Sequence, residues 1–524
     1  MYHRLLLALT TLVALSCLAP IAHADDAINQ ANDLYKTIQP GKRSDVILLP
    51  LLAKMDPHPA AISTPEKAMV LPAASAGWSS AEQWANAAPQ RAVLDAIHKL
   101  TQEENPVEAY AFGQPYGSDA VGNSSDGIAM IKAGLYTELG DPPLLAAAKF
   151  QYLPALDRAA SLVHVEATRL AAAGKISEAM DVLIDWLFFT RQMADRAMFT
   201  ESRWGFQMMN ATLDRIRDVA YVDFRYGMRT LTPDQINKVL TRLRPDGFIG
   251  VERLNFPKGN KIAVKQVIAT AFIEKAGTNP DTFAATMSRL ASTQRPLRLF
   301  AESARWNEVA TNHAGYFDTS DQLEKIYGDW LSRWPLEPFD PRLALTADYD
   351  KTSKRRFPVI TTVLEDMSVL FNDRQILRTQ LVGTRSALGV IAYFYQNKGF
   401  PPKLESIRPA FVKVIEADPY NPDRANRKQP PLEFFVPIRD QPADDRISRG
   451  PHEMNVLSRG GQTNFQVKID KDQFILYSVG PDGAKAWAKN VSGEPTKKDI
   501  GDLLIWPPVT SLVRQRLQET GQIK

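Results

Sequence analysis

A single cysteine, Cys17, stands in 524 residues. It lies in the apolar segment at the start of the chain, so the folded part has no pair for a disulfide and no thiol for catalysis. A chain of this length can bury enough apolar surface to do without cross-links. An excess of one charge sign is also lacking: 62 Lys and Arg face 59 Asp and Glu, a formal net charge of +3. The signs are interspersed, which gives no electrostatic footprint for nucleic acid or for an anionic lipid surface. Beyond the first segment no uninterrupted apolar run reaches the ~18 residues of a membrane-spanning helix, so no second span is expected.

Catalytic signatures are missing as well. His58, His98, His164, His313 and His452 follow the first segment, and no two share a metal-binding spacing. His164, between Val163 and Val165, reads as a core histidine. There is no G-x-S-x-G elbow, no phosphate-binding loop and no G-x-G-x-x-G; "AAAGKIS" (171–177) has the Gly-Lys without the upstream glycine. The adjacent Asp444 and Asp445 fall in a polar loop and read as solvated. Trp186, Trp204, Trp306, Trp330 and Trp334 sit in helical context, which points to packing rather than to sugar stacking.

What is present starts with "MYHRLLLALTTLVALSCLAPIAHADDA". Arg4 supplies the positive end, residues 5–19 are almost wholly apolar, and Ala22 and Ala24 are the small residues of a signal-peptidase site. Cleavage after Ala24 is expected. The alternative is lipidation of Cys17, preceded by Ser16, although Ala14 stands where a lipobox has Leu. The folded part is thus expected to be periplasmic or secreted, or lipid-anchored in the envelope, with no transmembrane span after signal removal.

Apolar residues make up 44% and charged residues 23%, the balance of a globular chain of two or three domains. Residues 25–78 are rich in Pro and Ala and read as an irregular lead-in. A helix is expected from Ser79, with Glu82 completing a capping box. Residues 112–127, "FGQPYGSDAVGNSSDG", read as a long loop. A helical hairpin turns at Gly174-Lys175, with Met180, Leu183, Ile184, Leu187 and Phe188 on one apolar face. Its turn is like that of tetratricopeptide hairpins, but no second copy follows. A further helix covers about 200–226. "LTPDQI" (231–236) is the clearest helix start: Thr232 caps, Pro233 takes the first position, Gln235 closes the box, and Leu231 and Ile236 form a staple. The prolines of "RWPLEPFDPRL" (333–343) set the expected boundary of a helical domain over 79–343. A domain over 344–508 and a tail over 509–524 follow.

The second domain begins with a helix over about 358–396, broken near Asn372-Asp373, with Leu377, Leu381, Leu388, Ile391 and Tyr395 on one stripe and Gly399 as C-cap. "DPYN" (418–421), a strand "LEFFVPI" (432–438), "FILYSVGPDG" (474–483) and "KKDIGDLLIWPP" (497–508) follow. This order resembles the soluble domain of the major pseudopilin of type II secretion systems. It resembles still more the pseudopilin-like tails of secreted helical proteins of planctomycetes and similar bacteria. The resemblance covers roughly 375–508. It implies an α+β fold, mainly helical at first, then a helix packed on a small antiparallel sheet. It also implies a calcium site at the positions matching the motif, Asp482 and Asp499, since a turn that offers carboxylates and carbonyls suits a hard cation. Lys485, Lys489, Lys497 and Lys498 lie in the same loop; the other reading is a plain turn with Gly483 in the left-handed region. Assembly as a pilus subunit does not carry over, because the matching helix carries Arg374, Arg378 and Arg385 and lies far from the N-terminus.

Three functions fit these features. The first is a non-enzymatic envelope or periplasmic scaffold that binds a protein or peptide partner. The second is a hydrolase with a carboxylate site assembled by folding. The third is a type II secretion accessory that docks pseudopilins.

Overall fold

The computed structural model describes residues 26–523 apart from 104, 106–107, 123, 227–228, 274–276, 295–298, 427, 441–449, 458–463 and 494–500. Cys17, Ala24 and Asp499 lie outside the described residues, as do Asp444 and Asp445. The fold is α+β, with helices dominating and one sheet near the end of the chain.

The helices that matter for function follow from local signals. Helix α1 (Pro65–Val70) starts where the Thr64 side chain accepts from the Lys67 N–H. Helices α2 (Leu153–Ala172) and α3 (Ile176–Ala194) form the expected hairpin, and Gly174 takes φ +74° at its turn. Met180, Leu183, Ile184, Leu187 and Phe188 are all fully buried. Helix α4 (Phe199–Arg225) returns along α3, and Gly205 lets the two backbones meet: a Cβ there would lie 2.4 Å from the Ala194 nitrogen. Helix α5 (Pro233–Arg242) has the full capping box, with Thr232 and Gln235 bonding reciprocally at 2.9 and 3.2 Å. Helix α6 (Ser368–Asn397) is the longest, and α7 (Val509–Glu519) follows the last strand.

Several expectations need correction. The stretch 25–78 is not irregular: Ser44–Leu52 and α1 are helical, because prolines sit at helix starts and packing tolerates Pro50. No helix starts at Ser79. Trp78–Ala85 is capped at Gly77, and Ala88–Leu100 starts again with Pro89 in its first turn. The break before the long helix falls between Val363 and Ser368 rather than at Asn372-Asp373. Lys398, not Gly399, takes the left-handed cap. Residues 509–519 are a packed helix, not a tail. The prolines at 333–343 do not separate one core from another, since a single apolar cluster runs from Leu48 to Trp506.

The sheet comprises β1 (Glu433–Phe435), β2 (His452–Leu457), β3 (Asn464–Ile469), β4 (Ile475–Ser478), β5 (Asn490–Ser492) and β6 (Asp502–Trp506) in the spatial order β1-β4-β6-β5-β2-β3. It is mixed, not purely antiparallel. β1–β4, β4–β6 and β2–β3 are antiparallel, whereas β5 is parallel to both neighbours. The physical reason is the loop after β4, which carries the chain past the place later filled by β6 and sets β5 down one strand further on.

Both sheet faces are covered, which explains why "FILYS" reads as an unbroken apolar run. Phe474, Leu476, Leu503, Ile505 and Trp506 join the main core, while Ile475, Tyr477 and Leu504 face a second one with Val509 and Leu512 of α7. The shift in register between Leu504 and Trp506 is a bulge that puts Ile505 and Trp506 on one side. Helix α6 lies between α4 and this sheet. The approach is close: a Cβ on Gly383 would meet Ile505 at 2.6 Å. Trp506 stacks on Phe474 at 5.0 Å, and Tyr221 of α4 reaches the same indole at 5.3 Å.

Candidate functional site

Helix α4 carries "DRIRD" at 214–218 in a stretch that is otherwise core, and four charges there need partners. Spacing of three along the helix supplies the first set. Arg217 donates to Asp214 at 3.0 Å and Arg215 donates to Asp218. Distant segments supply the rest. Arg217 also donates to the Gln380 side chain and the Thr384 hydroxyl of α6, both at 2.6 Å. Helix α7 then closes over the remaining carboxylate oxygens. Asp214 accepts from the Thr510 N–H at 3.1 Å, in the first turn of α7, where a carboxylate also complements the helix dipole. Asp218 accepts from the Ser511 hydroxyl and, at 2.7 and 2.6 Å, from both terminal nitrogens of Arg514. Arg514 makes a further bond to the Met69 carbonyl at the end of α1.

Burial by itself would raise the Asp218 carboxyl; Arg514 and Arg215 more than offset it and hold it at about 2. Burial lowers both Arg215 and Arg217. Helix α7 thus has two working faces. Thr510, Ser511 and Arg514 lock onto α4, and Val509, Leu512 and Val513 pack under the sheet.

A cavity opens on each flank of α7. One, of about 360 Å³, has Met69, Val70, Ala211, Val509, Val513 and Leu517 as apolar wall, with Asn210, Asp214, Gln380, Glu66 and Lys67 as polar lining. The other, of about 420 Å³, lies between Leu71–Ala73, the end of α2, and α4. Its charged lining is Arg215 and Arg514, its aromatic lining Tyr221 and Tyr226. No histidine lines either cavity. Both oxygens of Asp214 are engaged by Arg217 and Thr510, which leaves Glu66 as the carboxylate of the first cavity without such a bond.

The turn of "GPDG" gathers a second polar cluster. Gly480 and Gly483 take φ +74° and +65°, and a Cβ on Gly480 would meet the Gly501 carbonyl at 2.5 Å. Asp482, one of the two expected calcium ligands, accepts from the Ala484 N–H at 2.9 Å in a local turn. Lys485 pairs with Glu433 at 2.7 Å. The carboxylates that organise the region are Asp418 and Asp502. Asp418 accepts from the Ser478 hydroxyl at 2.7 Å and the Val479 N–H at 3.1 Å; Asp502 accepts from Ala488 at 2.6 Å and Ala486 at 3.2 Å. Burial pushes Asp418 up to about 6 and Asp502 up to about 7, with Asp482 and Glu433 adding to the latter. Among the described residues no group of three or more His, Cys, Asp or Glu is placed to hold a metal ion.

Two further clusters are structural. Arg196 and Glu201 form a buried pair at 2.7 Å; Tyr116 and Tyr152 donate to Glu201, and Arg196 also donates to the Phe112 and Gln114 carbonyls. His98 pairs with Asp185 at 2.7 Å beside Arg242, away from both cavities. His164 is buried, as expected, and so are Trp186, Trp204, Trp306 and Trp330.

No family model, curated protein or solved structure matches this chain. Among the described residues no helix is long and apolar enough to cross a membrane.

Proposed function

We propose that this protein is an exported, non-enzymatic scaffold of the cell envelope or periplasm that binds a peptide or protein partner beside helix α7. The observation that carries this reading is the pair of cavities flanking α7, each with apolar walls and a few convergent polar groups. The groups that look reactive in the sequence of α4 are committed to one another and to α7, so the clefts are shaped for contact rather than for proton transfer. The export signal read from the first 24 residues supplies the compartment in this proposal.

The test is site-specific photo-crosslinking in the full-length protein. A crosslinking side chain at Leu517 or Gln518, beside the two cavities, is expected to capture a discrete partner from living cells. The same group at the exposed Val46 is the control. Equal capture at all three positions would overturn the reading.

A further inference from the structure

The larger cavity has a charge character that its apolar walls hide. Its lining includes two arginines and no acid. Behind them, Asp214 and Asp218 are the carboxylates bonded to Arg215, Arg217 and Arg514. Three guanidinium groups therefore share two carboxylates, which leaves one positive charge uncompensated in a region where each arginine is nearly or fully shielded from bulk water. Among the described residues the buried Nε–H groups of Arg215 and Arg217 have no acceptor in the protein. A buried excess cation favours an anion from outside.

The surroundings select the kind of anion. Leu71, Ala171, Val219 and Val222 offer room for an apolar side chain beside the charge. Tyr226 adds a hydroxyl that suits a peptide backbone. Tyr226 stands 67% exposed at the rim. A volume of about 420 Å³ accommodates two or three residues.

We propose that this cavity binds the free C-terminal carboxylate of a peptide whose last residue is apolar, with Arg514 and Arg215 as the anion-recognising pair. The inference rests on the binding-scaffold reading and names its ligand. Arginine forks recognise carboxylates through charge-assisted hydrogen bonds, so loss of the charge is expected to weaken binding by about tenfold or more.

The experiment is calorimetric titration of the full-length protein with acetyl-Ala-Ala-Leu-Leu as the free acid, the same peptide as its amide, and decanoate. The acid is expected to bind at least about tenfold tighter than the amide, with the difference shrinking at high salt. Arg514→Gln is expected to abolish the preference. Because Arg514 also holds α7, Gln518→Glu gives an independent check: Gln518 is exposed and the change adds only a rim charge. It is expected to weaken the acid about fivefold more than the amide, and Gln518→Lys to strengthen the acid relative to the amide. Equal binding of acid and amide would overturn the carboxylate assignment and leave the scaffold reading standing. Decanoate as the tighter ligand would overturn the assignment to a peptide. Binding of neither peptide would overturn both the assignment and the scaffold reading for this cavity.

Discussion

Replacing Asp218 by Asn should loosen the whole C-terminal end of the fold. Its carboxylate is the shared acceptor of Arg215, Arg514 and Ser511, and it is fully buried. Two considerations bracket the cost. The carboxyl is held at about 2 against an ordinary 3.8, a difference of nearly two pH units, or about 2.5 kcal/mol of preference for the charged form in the folded state. Removing the charge also leaves two guanidinium groups buried and repelling, and breaking such a pair costs about 3–5 kcal/mol. Asn keeps one acceptor, so a loss of about 3 kcal/mol is expected. Urea unfolding gives the magnitude, and limited proteolysis gives the place: cleavage should begin between Trp506 and Glu519. The sign with pH follows from the lowered value. The stabilisation is fully present above about pH 4 and is lost as the pH falls toward 2, so the wild type should keep α7 docked in mild acid while the variant does not. A change below 1 kcal/mol with α7 still protected would refute the account of the latch.

Three further predictions address the rest of the fold. Gly383→Ala should cost about 1–3 kcal/mol, read by thermal unfolding, because its methyl would press on Ile505 at 2.6 Å between α6 and the sheet. Asp502 is raised to about 7, so the folded state holds its proton more tightly than the unfolded one. Stability from this group is complete below its ordinary 3.8 and is lost as the pH rises to about 7, at up to about 1.4 kcal/mol per pH unit. Asp502→Asn should flatten that decline, and an unchanged profile of melting temperature against pH would contradict it. Asp482→Asn should leave the stability within about 0.5 kcal/mol of wild type in calcium-free buffer, since Asn serves the same turn. A calcium-dependent rise in the melting temperature of the wild type that the variant lacks would show that the carboxylate holds a cation instead.

The readable parts of the fold are those fixed by neighbours in sequence. Thr232 to Gln235 is a closed local unit, and the 3.6-residue stripe on α3 needs only a core to face. The lead-in over 25–78 misleads because proline suggests a break, although Pro65 stands in a first turn where its missing N–H is harmless. Residues 509–519 place Val509, Leu512, Val513 and Leu517 at helical spacing, but the stripe is short, and the other face of α7 is buried by polar bonds of Thr510, Ser511 and Arg514 that nothing local announces. Strand order is not legible, because the place of β5 depends on pairing with β2, 35 residues earlier in sequence. The site is hardest. "DRIRD" within a long apolar-faced helix is the one signal for it: charges at that depth require compensation from elsewhere. Nothing local says that the compensation lies in Arg514. Asp418 and Asp502 stand inside motifs that draw attention by their order, yet their roles as acceptors for strand-end N–H groups follow only from the folded backbone.

The bond between Ser511 and Asp218 joins positions 293 residues apart. A contact so remote along the chain closes one of the largest loops in the molecule, and it is made by the groups that neutralise the middle of α4. The helical portion therefore cannot reach its final state on its own: until residues near 510 arrive, Arg215 and Asp218 are an ion pair short of a partner, with apolar surface open on either side. Maturation of this fold should be slow and late. Fragments that stop before β6 should behave as clients for chaperones and proteases rather than as smaller versions of the protein.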